Sequence, residues 1–149
     1  MLLAVDPGRD KIGLAVVDLA GTLCAHQVVA TAELARHIAS LLEGYEIARI
    51  LVGDGTGSGP VVQVVRRAVE ASPRSSASPL VHIVEETDST LRARALYFVH
   101  NPPRGLLRLV PRGLLLPPRP YDDFAAYVLA CDYLKVKACN REAASSPRT

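Results

Sequence analysis

The chain opens on an apolar run, Leu2 to Val5, that stops at Asp6-Pro7-Gly8. This pattern predicts a buried strand running into a turn. Ile12 to Val17 reads as a second strand and Leu23 to Ala30 as a third, and the short loops between them predict an antiparallel meander. From Thr31 the period changes from two to nearly four. Leu34, Ile38, Leu41 and Leu42 share one helical face, Thr31 is placed to cap it and Gly44 to end it. Ile47 to Val52 is again strand-like. A glycine-rich loop at 53–59 follows, then a helical pattern from Val61 to Ala71, a Ser/Pro loop from Ser72 to Pro79, and a fifth strand from Leu80 to Glu86. Thr90 to Val99 reads as a helix stopped by Pro102-Pro103, and Asp122 to Val136 as the last helix.

The order is β-β-β-α-β-α-β-α-loop-α. Three meander strands and two strands reached through helices predict one mixed five-stranded sheet, an antiparallel meander plus two parallel strands, flanked by helices. That α/β order is the one shared by ribonuclease H-like folds. A chain of 149 residues predicts a single domain, assigned to 1–139, with an Ala, Ser and Arg-rich flexible tail at 140–149. Apolar residues at 49% against charged residues at 21% place the chain among globular proteins. Trp is absent, so Val, Leu, Ile and Ala must build the core. Cys24, Cys131 and Cys139 are odd in number and lack C-x-x-C spacing, which argues against a disulfide framework or a cysteine-only zinc site and for a reducing compartment. Asp6 comes too early for a signal peptide, and no apolar run approaches a membrane span. The expectation is a cytoplasmic protein.

Charge adds a clue that the net value of +2 hides. Basic residues are 14 Arg against 3 Lys, and no acid occurs between Asp88 and Asp122. That stretch holds Arg92, Arg94, Arg104, Arg108, Arg112 and Arg119, together with six prolines between 100 and 120. Arginine forks match phosphate oxygens, so the stretch points to a polyanion, although a solvated helix face followed by a basic loop would read the same way.

Three acidic places could carry chemistry. Asp6 ends an apolar strand, where a carboxylate either makes the Asp-Pro-Gly turn or meets a cation. Glu85 and Glu86 end the fifth strand on opposite faces, so only one of them can look into a given site. Asp122 and Asp123 open the last helix, where Asp122 as N-cap accepts N–H bonds and keeps one oxygen for a metal. In a ribonuclease H-like sheet these three places converge, and an all-oxygen donor set prefers Mg²⁺ or Mn²⁺ over zinc. The loop at 53–59 is neither a Walker loop nor G-x-G-x-x-G. His26, His37, His82 and His100 lack metal spacing and read as structural, and Cys131 falls on the core face of the last helix.

Taken together the motifs resemble one family. Asp6-Pro7-Gly8-Arg9-Asp10-Lys11-Ile12-Gly13-Leu14-Ala15 resembles the opening D-x-G-x-x-R-I-G-L-A motif of the YqgF (RuvX) family. These are ribonuclease H-like proteins described as Holliday junction resolvases and as nucleases maturing the 5′ end of 16S ribosomal RNA. Glu85-Glu86-Thr87-Asp88-Ser89-Thr90 looks like the D-E-R-x-[ST]-[ST] strand end. Asp122-Asp123-Phe124-Ala125-Ala126 with Leu129 and Tyr133-Leu134 resembles the closing D-x-x-A-A helix. The ordered motifs span residues 1 to 136. Lys11 and Thr87 stand where the family has Arg, the loop at 53–59 replaces a Leu-Pro-rich segment, and the Pro/Arg arm at 100–120 is longer than in the simplest members.

The resemblance implies a nuclease in which Asp6, Glu86 (or Glu85) and Asp122 are the catalytic carboxylates and ligands of Mg²⁺ or Mn²⁺. Lys11, Arg92, Arg104, Arg108, Arg112 and Arg119 are then the expected contacts to nucleic acid, either structured RNA or branched DNA. Symmetric resolution of a four-way junction favours a homodimer, whereas trimming ribosomal RNA does not require one. A non-catalytic nucleic-acid-binding module on the same fold is the alternative. An actin-like or sugar-kinase ATPase, which also opens on Asp-x-Gly, needs two such domains and therefore a longer chain.

Overall fold

The first strand, β1 (Leu2–Pro7), is buried on both faces at Leu2, Leu3, Ala4 and Val5, which is why its sequence is an unbroken apolar run. The computed structural model describes residues 1–55, 57–72, 79–85, 97–99, 102 and 122–134. Around β1 lie β2 (Lys11–Val17), β3 (Leu23–Ala30), β4 (Arg49–Gly53) and β5 (Leu80–Val84), in the sheet order β3-β2-β1-β4-β5. The β1–β2 and β2–β3 pairs are antiparallel, while β4 is parallel to both β1 and β5. This is the mixed sheet that the sequence pattern predicts.

Helices cover both faces. Leu3, Val5, Ile12, Leu14, Val16, Ile50 and Val52 face α1 (Leu34–Gly44) and α2 (Ser58–Glu70), packing on Leu34, Ile38, Val61 and Val65. Leu2, Ala4, Ala15, Val17 and Leu51 face α3 (Asp122–Tyr133). Residues 97–99 are helical, and Tyr97 sets its ring edge-on to Phe124 of α3 at 5.8 Å. With the sheet on one side and Tyr97 and Phe98 also packed against it, α3 is buried continuously from Asp123 to Cys131. Cys131 is core, as its helix face suggests.

Several boundaries move for identifiable reasons. Thr31 does not cap α1, because a single 3₁₀ turn, Thr31–Glu33, precedes the helix and no side chain caps either start. The Thr31 N–H instead donates to the Asp10 carbonyl at 3.3 Å. Helix α2 begins at Ser58, earlier than Val61, because Gly57 takes a left-handed φ of 95° and Pro60 is tolerated in a first turn. Neither residue contributes to an apolar period, so the pattern starts late. Strand β4 starts at Arg49, since Ile47 and Ala48 spend their N–H groups on Tyr45 and Met1 carbonyls. Strand β5 ends at Val84, two residues short of Glu86. Most of the predicted helix at 90–99, the arm at 100–120 and the tail fall outside the described residues.

Helix α3 is held by a close approach at Gly13 of β2. A Cβ built there would fall against the backbone of Asp122 and lie 2.7 Å from the Asp123 nitrogen. Real Cβ atoms do not come that near backbone, so the sheet and the start of α3 can be this close only at a glycine. Gly13→Ala should therefore force α3 off the sheet and destabilise the protein by about 1–3 kcal/mol, the range for overpacking. Gly44→Ala, where a Cβ meets nothing within 4 Å, should be neutral or slightly stabilising. Urea melts of the two variants check this, and equal stabilities would contradict the close-approach account.

Candidate active site

Asp6 is the penultimate residue of β1 and pairs with Gly13 of β2. Directly paired residues project on the same side of a sheet. Asp6 thus shares the face of Leu2 and Ala4, the face that α3 covers. Because the first turn of α3 lies against Gly13, the backbones of Asp6 and Asp122 stand on two sides of one glycine. Both carboxylate residues are half-buried. Two of the three predicted acids are therefore brought to the same edge of the sheet.

The electrostatics differ along the start of α3. Burial raises the Asp122 carboxyl above its ordinary value, the neighbouring Asp123 charge raises it further, and the Lys11 ammonium pulls it back. Lys11, two residues before Gly13 on β2, shares its face and is exposed, so it supplies positive charge at the rim of this edge. Asp123 lies deeper, with only 7% of its surface exposed. Its Oδ1 accepts the Phe124 N–H at 2.9 Å, so the side-chain bond at the helix start falls to Asp123 where Asp122 was expected to make it. Its Oδ2 accepts from Nδ1 of His26 at 2.6 Å.

The His26–Asp123 pair is what sequence reasoning missed. His26 sits on β3 opposite Ala15, hence on the α3 face, and its ring lies 5.1 Å from that of Phe124. A histidine on the inward parity of a strand needs a polar partner, and the doubled Asp at the helix start offered one. The structure gives His26 that partner.

The remaining candidates are placed unequally. His82 and Val84 of β5 register with Leu51 and Gly53 and so belong to the α3 face. Glu85, of the opposite parity, is exposed just beyond the strand. Glu86, Arg92, Arg104, Arg108, Arg112 and Arg119 lie outside the described residues. Among the described residues no three His, Cys, Asp or Glu side chains form a metal-holding group. The glycine-rich loop ties the ends of two strands, since the Asp54 N–H donates to the Val84 carbonyl at 3.0 Å. No helix among the described residues is long and apolar enough to cross a membrane.

No family model matches the chain, and no curated protein sequence does. Solved structures do match in fold. One is Thermus thermophilus RuvC in complex with a Holliday junction substrate, at a TM-score of 0.57 and 19% identity over 87% of this chain and 88% of that one. Another is the fowlpox virus Holliday junction resolvase, at a TM-score of 0.55 and 14% identity over 90% and 96% of the two chains. The five-stranded mixed sheet and its flanking helices thus match the ribonuclease H-like fold of these two structures.

Proposed function

We propose that the chain is a divalent-metal-dependent nuclease that hydrolyses phosphodiester bonds in structured nucleic acid, branched DNA of the Holliday junction type or precursor 16S ribosomal RNA. The observation that supports it most is the meeting of Asp6 and Asp122 across Gly13, with Lys11 at the rim, on a fold that junction resolvases share. The donor chemistry fits a hard dication. Both residues offer oxygen only, and a cation would favour the charged form of the Asp122 carboxyl, which burial first and the Asp123 charge second hold above its ordinary value.

Asp6 and Asp122 would hold Mg²⁺ or Mn²⁺ with Glu86 as the third ligand. Glu86 is preferred over Glu85 because it stands where the resembled D-E-R motif has its glutamate, whereas Glu85 takes the place of the aspartate. When bound there, a dication would supply Lewis acidity to the phosphate and to an attacking water. The chain's own part is to fix the two carboxylates on rigid elements, to hold a backbone phosphate with Lys11, and to grip flanking phosphates with Arg92 and the arm arginines. Asp123, bonded to His26, keeps the start of α3 in place and so positions Asp122.

Asp6→Asn should abolish Mg²⁺- or Mn²⁺-dependent cleavage of a four-way junction and of precursor ribosomal RNA while leaving the thermal melt intact. Outer partners of metal sites cost 10–100-fold, so a ligand should cost more than about a hundredfold. Wild-type turnover by this variant would rule out the assigned role. A wild-type protein that binds both substrates and cleaves neither would favour the binding-module alternative.

Asp122→Asn tests the cost of burying this charge beside Asp123. A carboxyl raised in the folded state stabilises the fold below its unfolded value and loses that contribution as pH rises through the folded value. In EDTA the variant should melt above wild type at neutral pH, and the difference should vanish as pH falls below the ordinary value of 3.8. An unchanged difference at low pH would contradict this cause.

Replacing two of Arg104, Arg108, Arg112 and Arg119 with Gln should flatten the dependence of log K on log salt by about 2. Titrations of duplex binding at several salt concentrations measure it, and an unaltered slope would remove the arm from the interface.

A further inference from the structure

On the other face of the same sheet edge lies a cavity of about 250 Å³, lined by Gly8, Arg9, Thr31, Leu34, Val61 and Val64, with Gly57 and Pro60 at the first turn of α2. Leu34 and Val61 are buried and form its floor, whereas Arg9 and Thr31 are exposed on its rim. Arg9 is the one charged residue among the described lining residues. Gly57 carries no side chain, and a Cβ added there would meet nothing within 4 Å.

The position of the cavity suggests its occupant. Arg9 lies three residues beyond Asp6, so the two Cα atoms are at most about 11 Å apart. A strand whose phosphodiester is held at Asp6 on the α3 side reaches the cavity on the α1/α2 side within a nucleotide or two. Among the described residues the walls are aliphatic, the rim has one hydroxyl and one guanidinium, and no carboxylate lines it. Small-ligand sites have this composition, with apolar walls and a few placed polar groups. A cavity of about 150 Å³ accepts a benzene ring. One of about 250 Å³ has room for a single heterocycle.

We propose that this cavity receives one unstacked base of the nucleic-acid strand, with Arg9 on the adjoining phosphate. This rests on the reading of the chain as a nucleic-acid enzyme and adds a subsite that the carboxylate edge does not supply. Leu34, Val61 and Val64 exclude water from the faces of the base, and Thr31 presents its hydroxyl to the base edge. A base already unpaired at a branch or loop enters without the cost of breaking a pair, so the cavity selects junctions and structured RNA over regular duplex.

The test is direct binding, measured by fluorescence anisotropy in EDTA with a four-way DNA junction carrying a single abasic site moved one position at a time across the branch point. Wild-type protein should lose about tenfold in affinity when one position lacks its base, the scale of a single base contact. Val64→Trp, which fills the cavity from its half-buried side, should bind the intact junction about tenfold more weakly and lose nothing further at that abasic position. Arg9→Gln should weaken all junctions alike and reduce the salt slope by about one. Indifference of wild type to every abasic position overturns the proposal, whatever the variants do, as does wild-type affinity in a folded Val64→Trp protein. Failure to bind any junction overturns both this and the substrate reading. An abasic footprint without metal-dependent cleavage leaves the cavity assignment standing and removes only the nuclease.

Discussion

The contact that the rest of the candidate site depends on is the backbone-to-backbone approach of α3 onto Gly13. A helix normally stands off a sheet by the thickness of two side-chain layers. Here one layer is missing at a single point, and the first turn of α3 drops onto β2. That drop carries Asp122 to the level of Asp6, which pairs with the same glycine. Any residue with a Cβ at position 13 would lift the start of the helix away from the strand pair that carries Asp6, so the fold and the candidate site share one constraint.

Two side-chain bonds keep the helix seated there. At its start, buried Asp123 is bonded to His26, and one helical turn later Tyr127 donates its hydroxyl to the Gly21 carbonyl at 2.9 Å. The His26 side chain is 45% exposed, so its bond to Asp123 is partly solvated. Its contribution to stability therefore lies nearer the roughly 0–1 kcal/mol of an exposed pair than the roughly 3–5 kcal/mol of a broken buried one. Its larger effect is positional. With Asp123 turned inward to His26, Asp122 is left half-buried near Lys11, so the two adjacent carboxylates meet different surroundings.

The sheet edge serves two faces at once. β1, β4 and β5 end there, and the turn from β1 to β2 crosses it. Open α/β sheets place ligands at the carboxyl ends of parallel strands because loops and helix starts gather there, leaving backbone groups and short side chains to meet a substrate. In this chain the α3 side gathers carboxylates and the α1/α2 side gathers aliphatic walls with Arg9. A polyanion crossing the edge would meet both.

Much of the architecture was legible in the residues alone. Strand and helix types followed from apolar period, and the meander followed from short loops, because both are properties of neighbouring residues. The boundaries that moved, at Ser58, Arg49 and Val84, lie where Gly, Pro or a carbonyl partner decides and the apolar period is silent. Asp6 and Asp122 could be named from motif resemblance, but their meeting could not be read from the chain, since it needs a sheet register and a helix seated on one glycine. The His26–Asp123 bond spans 97 residues, and the cavity joins the β1–β2 turn to the starts of two helices far apart in sequence. Local chemistry set which residues could act. Which of them stand together was decided only by long-range packing, because pairing strands and burying α3 on both sides are what bring distant positions within reach.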